Sequence, residues 1–237
     1  MTARLWLSLA LSVPAGAQAD APSLQLRAAV GVGAHSRSFT RPLEVGTTTL
    51  PAAYVPAVEG SLGLVVWPEG DSSWAVTLSY QTGLWLTVTE VPPFANANEV
   101  SARSQRLALH VAPSWRVASR TQIGFALGAS LRSFWPEDHA LQTPGYSLFG
   151  PHVRGELAAA LFGPLRLRVT PELQWLVVLN EKKTVGAAIG GELLLELSLN
   201  ARRTLALSYR ESHALLAHGA RFRDVERYLT MRIVEAF

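Results

Sequence analysis

The sequence contains no cysteine. That excludes disulfide stapling and lipid attachment through an N-terminal cysteine, so other forces must hold the fold. Lysine is nearly absent: Lys182 and Lys183 stand alone, and arginine carries the rest of the positive charge. The net charge is only +3. No basic block or nucleic-acid motif accompanies it, so no nucleic-acid partner is expected. Long apolar runs are also missing. Hydrophobic residues make up 49% of the chain, yet after the first 20 residues no apolar stretch reaches the length of roughly 18 that a spanning helix needs. An ordinary helical membrane protein is excluded. No composition shift, low-complexity tract or long repeat divides the 237 residues, which fits one domain.

What is present begins with a secretory signature. Arg4 supplies positive charge, Leu5 to Val13 form a short apolar core, and Pro14 and Gly16 break it. Ala17-Gln18-Ala19 fits the small-x-small rule, so residues 1–19 are expected to be a signal peptide cleaved after Ala19. The alternative, an uncleaved anchor, requires a longer apolar run than this.

The mature chain alternates with a period of two. Trp74, Val76, Leu78, Tyr80, Leu84 and Leu86 share one face, with Thr82 the exception. Ser73, Ala75, Thr77, Ser79, Gln81 and Gly83 share the other. Strands place successive side chains on opposite faces, so such a segment has one greasy face and one small, polar face. Ten segments of this kind fall near 24–37, 55–67, 73–87, 104–117, 121–134, 147–161, 165–179, 185–199, 204–212 and 225–237. Tight turns are expected near 67–71, 118–120, 162–164 and 200–203, where Gly, Pro, Asn, Asp and Ser gather. Longer links are expected near 38–54, 88–103, 135–146 and 213–224, with a short one near 180–184. Alternating short and long connections mark a membrane barrel, with short turns periplasmic and long loops outside.

The expected fold is therefore all-β: a transmembrane antiparallel up-and-down β-barrel of about ten strands over residues 20–237. Eight or twelve strands fit if a segment has been split or merged. A soluble barrel or sandwich also alternates, but it would need Trp and Leu in its core and an exterior of Gly, Ala and Ser. Trp67, Trp74, Trp85, Trp115, Phe134, Trp135 and Tyr146 fall near expected strand ends, as interfacial girdles do.

The last strand alternates and finishes on Phe. Leu229, Met231, Ile233 and Phe237 share a face, while Glu235 puts a charge where an apolar residue is usual. This resembles the closing strand of outer-membrane β-barrel proteins, whose terminal aromatic is read by the barrel-assembly machinery. The resemblance covers the whole mature chain at the level of architecture and identifies no subfamily. It implies an outer-membrane location, with membrane lipid, lipopolysaccharide, the assembly machinery and other envelope proteins as partners.

On this register the lumen collects Arg27, Glu59, Arg106, Arg132, Arg154, Glu156, Arg166, Arg168, Glu172, Glu192, Glu196, Arg210 and Arg232. A barrel of this size is narrow, and arginine forks pair with carboxylates, so a cross-linked polar core is expected ahead of a conducting pore. The Gly, Ala and Ser residues among them leave space for the second reading. Omptin proteases of ten strands use Asp and His at the outer rim, and small lipid A-modifying barrels use His, Ser and an acid. Here Asp138, His139, Ser212, His213, His218 and Asp224 fall in expected outer loops. Ser212 and His213 are adjacent and should point apart, and Leu215 stands where a His-x-Ser arrangement needs Ser. No catalytic residue is assigned. His110 and His152 are isolated on lumen faces and His35 sits near a rim, with no metal-ligand spacing among them, so no metal or cofactor is expected. Arg221, Arg223 and Arg227 of the last loop, with Arg37, Arg41 and Arg103 on others, are candidate contacts for lipopolysaccharide phosphates. The expected role is a non-enzymatic structural or docking subunit of a larger envelope-spanning complex. The alternatives are a channel for ions or small solutes, and a rim hydrolase of peptide or lipid.

Overall fold

The computed structural model describes residues 23–42, 47–67, 71–91, 98–136, 146–178, 185–218 and 220–237. They form ten strands: β1 Ser23–Pro42, β2 Thr47–Trp67, β3 Ser72–Val91, β4 Asn98–Ala118, β5 Thr121–Pro136, β6 Tyr146–Ala160, β7 Leu165–Val178, β8 Val185–Ser198, β9 Arg203–His218 and β10 Ala220–Ala236. Each pairs antiparallel with its sequence neighbours, and β10 closes on β1 from Arg27↔Ala236 to Phe39↔Asp224. No helix among the described residues is long enough and apolar enough to cross a membrane; the strands are the elements that cross. Closure is what makes this possible, because hydrocarbon offers no partner to an open sheet edge.

The alternation sorts the two faces. Leu24, Leu26, Val30 and Val32 of β1 point outward and are exposed, as are Leu107, Leu109 and Val111 of β4 and Leu229, Met231 and Ile233 of β10. Inward positions of the middle stretches are mostly small, polar or charged. A soluble barrel would present the reverse arrangement, so this exterior is the surface of a barrel immersed in lipid. The connections after β2, β4, β6 and β8 and the β1 and β10 termini gather at one end, here the turn end. The opposite end is the loop end.

Three expectations are corrected. The strands run into the segments expected as long links: β1 reaches Pro42, β4 begins at Asn98, and β9 and β10 reach His218 and Ala220. The period-two signal fades there because both faces carry apolar residues. Leu215 is exposed while Ala214 and Leu216 are buried. Leu86 also lies inside, not on the outward face. The β3–β4 register slips by one residue between Gly83 and Leu86, and Trp85, with φ 57°, points outward instead. A bulge of this kind inverts the faces of everything beyond it. Finally, Phe134 is fully buried in the lumen, and Trp67 lies at the turn-end mouth beneath the Arg27 guanidinium. The exposed aromatics include Trp74, Trp115, Phe162 and Phe237 toward the turn end and Tyr54, Trp85, Trp135 and Trp175 toward the loop end, with Tyr80, Phe125, Phe149 and Tyr209 also on the outer wall. The side chain of Tyr146 lies outside the described residues.

The interior has two layers. Toward the loop end, Phe39, Leu86, Ala102, Phe134, Leu148, Leu176, Ala188, Ala214 and Leu216 form a buried apolar cluster, with Val55 packed against it. Below it, toward the turn end, the lumen is charged.

Candidate functional site: the charged lumen

Glu172 of β7 is the centre of the charged layer. Arg106 Nη2 lies 2.6 Å from its Oε1, Arg154 Nε 3.3 Å from its Oε2 and Arg132 Nη2 3.7 Å from its Oε1. Arg210 Nη2 donates to its Oε2 as well. Four strands thus aim guanidiniums at one carboxylate. A second centre is Glu192, which accepts from Arg232 Nη2 at 3.0 Å, Arg154 Nη2 at 3.3 Å and Ser208 Oγ at 2.7 Å. Arg232 also reaches Glu59, 3.5 Å away, and Glu59 accepts from Gln81 at 2.9 Å. Nearer the turn end, Arg168 lies 3.7 Å from Glu156 and 3.3 Å from Glu196.

The structure adds a third centre toward the loop end that the shorter strand boundaries concealed. Arg37, expected on an outer loop, is 2% exposed and forks onto Asp224, with Nε at 3.0 Å from Oδ1 and Nη2 at 2.5 Å from Oδ2. Its guanidinium lies 5.0 Å from the Phe134 ring centroid, beneath the apolar cluster. Asp224, also expected on a loop, is buried. Glu226 accepts from Ser104 Oγ at 2.9 Å and Tyr228 Oη at 3.2 Å and lies 3.7 Å from Arg132. His35 is fully buried, not near a rim. It stacks on Tyr228 with ring centroids 4.2 Å apart, and its Nε2 is 3.4 Å from Glu226. Extending the last strand's parity backward from Arg232 through Tyr228 would have placed Glu226 and Asp224 inside.

Among the described residues the lumen therefore holds nine guanidiniums: Arg27, Arg37, Arg106, Arg132, Arg154, Arg166, Arg168, Arg210 and Arg232. Seven carboxylates face them: Glu59, Glu156, Glu172, Glu192, Glu196, Asp224 and Glu226. Arg27 and Arg166 have no carboxylate within ion-pair distance among the described residues. On the turn-end side of the network, a cavity of about 220 Å³ is bounded on one side by Ser61, Gly63, Thr77, Ser79 and Ala112, and on the other by Arg168, Glu192 and Glu196. The small side chains of β2 to β4 create it.

The remaining candidates separate. Ser212 faces inward and accepts from Arg132 Nη1 at 2.8 Å, while His213 faces outward with Nε2 2.7 Å from Glu211. The two are on opposite sides of the wall. Asp138 and His139 lie outside the described residues, as do the side chains of His218, Arg41 and Arg221. His110 and His152 are not isolated from each other: their ring centroids are 6.2 Å apart. No group of three or more His, Cys, Asp or Glu side chains able to hold a metal occurs among the described residues. Arg223 and Arg227 are on strand β10, not in a loop, and face outward. Arg223 Nη2 lies 2.6 Å from His213 Nδ1, and Arg227 Nη2 lies 3.1 Å from Glu211. Leu229, Met231, Ile233 and Phe237 are exposed on the outer wall. The aberrant Glu235 is bound by Arg203 Nε at 2.9 Å across the β9–β10 pair.

No protein-family model matches this chain, and no curated protein matches it. Solved structures do. The outer membrane protease OmpT from Escherichia coli aligns with a TM-score of 0.58 at 8% identity, over 93% of this chain and all of OmpT. The translocator domain of the autotransporter NalP from Neisseria meningitidis aligns at 0.39 and 11% identity, over 90% of this chain and 88% of that one. The beta domain of the Bordetella autotransporter BrkA aligns at 0.43 and 9% identity, over 90% and 99%. The closed ten-strand barrel has the outer-membrane β-barrel fold, and the OmpT likeness is one of fold alone.

Proposed function

We propose that this chain is a closed outer-membrane barrel that serves as a structural or docking element and passes no solute through its lumen. One observation carries the reading: the lumen is filled in two successive layers, an ion-paired network and an apolar cluster beneath the loop end. A pore needs a continuous wet path, and a buried apolar layer opposes one. On this reading residues 1–19 direct export and are removed after Ala19, the assembly machinery reads the last strand, and the turn end faces the periplasm. Purified protein in planar bilayers is expected to give no steady current above the lipid baseline. Reproducible ohmic steps from the native protein would replace this reading with that of a channel. For docking, cross-linking followed by purification from solubilised outer membrane is expected to return a stoichiometric set of envelope proteins, and a lone barrel would count against it.

The outer wall supports a specific lipid contact. Arg227 and Arg223 lie six and ten residues from Ile233, about 20 and 33 Å along the strand. With strands tilted by about 40° these are about 15 and 25 Å of height. That puts Arg223 at the loop-side margin of an apolar band about 25 Å tall, where outer-leaflet phosphates sit. Arg227 lies below it, within reach of that margin through its long side chain. Binding of lipopolysaccharide to the R221Q/R223Q/R227Q variant is expected to fall severalfold relative to the native protein. Unchanged binding would remove this contact from the reading.

A further inference from the structure

We propose that the turn-end mouth of the lumen is an anion-binding site, in which Arg27 and Arg166 receive a phosphate or carboxylate group. The side of entry rests on the orientation given above; the site itself does not. Among the described residues nine guanidiniums face seven carboxylates inside the wall. The two without a carboxylate partner among the described residues are not scattered. Both belong to the mouth, where Arg168, already paired with Glu156 and Glu196, adds a third guanidinium. Among the described residues these three guanidiniums and two carboxylates leave one positive charge in excess.

The partners these two arginines do have sharpen the point. Arg27 Nε donates to Gln25 Oε1 at 2.8 Å, and its guanidinium lies 5.7 Å from the Trp67 ring centroid. Arg166 Nη2 donates to Gln122 Oε1, and Gln122 in turn donates to Ser114 Oγ at 2.5 Å. A neutral amide fixes the direction of a guanidinium without cancelling its charge, as a carboxylate would. Each fork therefore keeps N–H donors that have no partner among the described residues. A planar fork of donors held in a confined, partly desolvated mouth matches the oxygens of a phosphate or carboxylate. Such a charge is costly unless an anion joins it. Arg27 and Arg168 line the cavity of about 220 Å³ together with Glu59, Glu156, Glu192 and Glu196, and Arg166 lies outside it. On the Arg27 side the cavity has room for one such group with its waters and not for a polymer. The ligand is thus a small oxyanion, or the anionic terminus of a larger molecule.

The test is calorimetric titration of the full barrel in detergent micelles at low salt, with two probes. Inorganic phosphate stands for the small oxyanion. A short peptide with a free C-terminal carboxylate, compared with its amidated form, stands for a partner's terminus. At least one probe is expected to bind saturably, and its affinity should fall about tenfold or more in R27Q/R166Q. The lysine pair R27K/R166K should recover part of it, since the charge returns without the fork. Neither residue is in an ion pair, so both variants are expected to keep the native barrel's heat-dependent gel mobility, which checks folding. Phosphate binding would identify the oxyanion class; binding of the acid but not the amide would identify a polypeptide terminus. Failure of both probes, or a smaller fall in R27Q/R166Q, would overturn the proposal. Conductance plays no part in this readout, so its failure is distinguishable from failure of the closed-barrel reading.

Discussion

At the scale of the residue, Glu172 and Glu235 show how differently the same side chain behaves in the two environments. Glu172 is buried among four guanidiniums. Removing its charge leaves those cations facing one another with little solvent to screen them. E172Q is expected to destabilise the barrel by about 3–5 kcal/mol, read as a lower urea midpoint for unfolding from micelles. Glu235 breaks the apolar pattern of the last strand, and sequence reading could only mark it as a departure. Its partner Arg203 stands directly across in β9, at the turn-end margin where water reaches both groups. R203Q is expected to change the same urea midpoint much less than E172Q does. Gly83 is a third case. A β-carbon there would come within 1.9 Å of His35 Nδ1, so G83V is expected to displace the His35–Glu226 contact and lower the midpoint as well. The inward positions of Glu172 and Gly83 were legible from parity. Their partners were not, because the groups that meet Glu172 come from β4, β5, β6 and β9, far apart in the chain.

At the scale of the element, the central stretch of each strand was legible and the loop-end stretch was not. The signal is the contrast between a lipid-facing and a lumen-facing side. It holds only where lipid is on one side and the charged layer on the other. Toward the loop end the lumen side becomes apolar, as Phe39, Leu86 and Leu216 show, and the contrast disappears. That is why Arg37 and Asp224, an inward ion pair, read as loop residues. Trp85 adds a second cause. The extra residue in β3 reverses parity, and no sequence pattern announces it. Deleting Trp85 removes the extra residue and leaves Leu86 opposite Ala102 and facing inward, so the deletion variant is expected to keep the heat-modifiable barrel. W85G keeps the count and suits a positive φ, and should still fold. Loss of the barrel in the deletion variant alone would mean that the bulge itself, and not the pairing of Leu86 with Ala102, holds this stretch in place.

At the scale of the whole molecule, the exposed apolar wall makes a prediction about lipid. In single-tryptophan variants, Trp74, Trp115 and Trp175 are exposed outside and are expected to be quenched strongly by brominated acyl chains. Trp67, held at the lumen mouth under Arg27, is expected to be quenched weakly. Equal quenching of all four would contradict the sorting of faces described here. The sequence by itself determined that the chain is all-β, that it has about ten strands, and which face of the central stretch of each strand meets lipid. These follow from the period of two and from turn chemistry, which are local and repeat along the chain. Only the tertiary structure decided which charges meet, that an apolar layer lies above them, and that two arginines at the mouth are left without a carboxylate. Those facts depend on the shear and closure of the barrel, which bring β1 beside β10 and set side chains from distant strands at one height. No local pattern records that height.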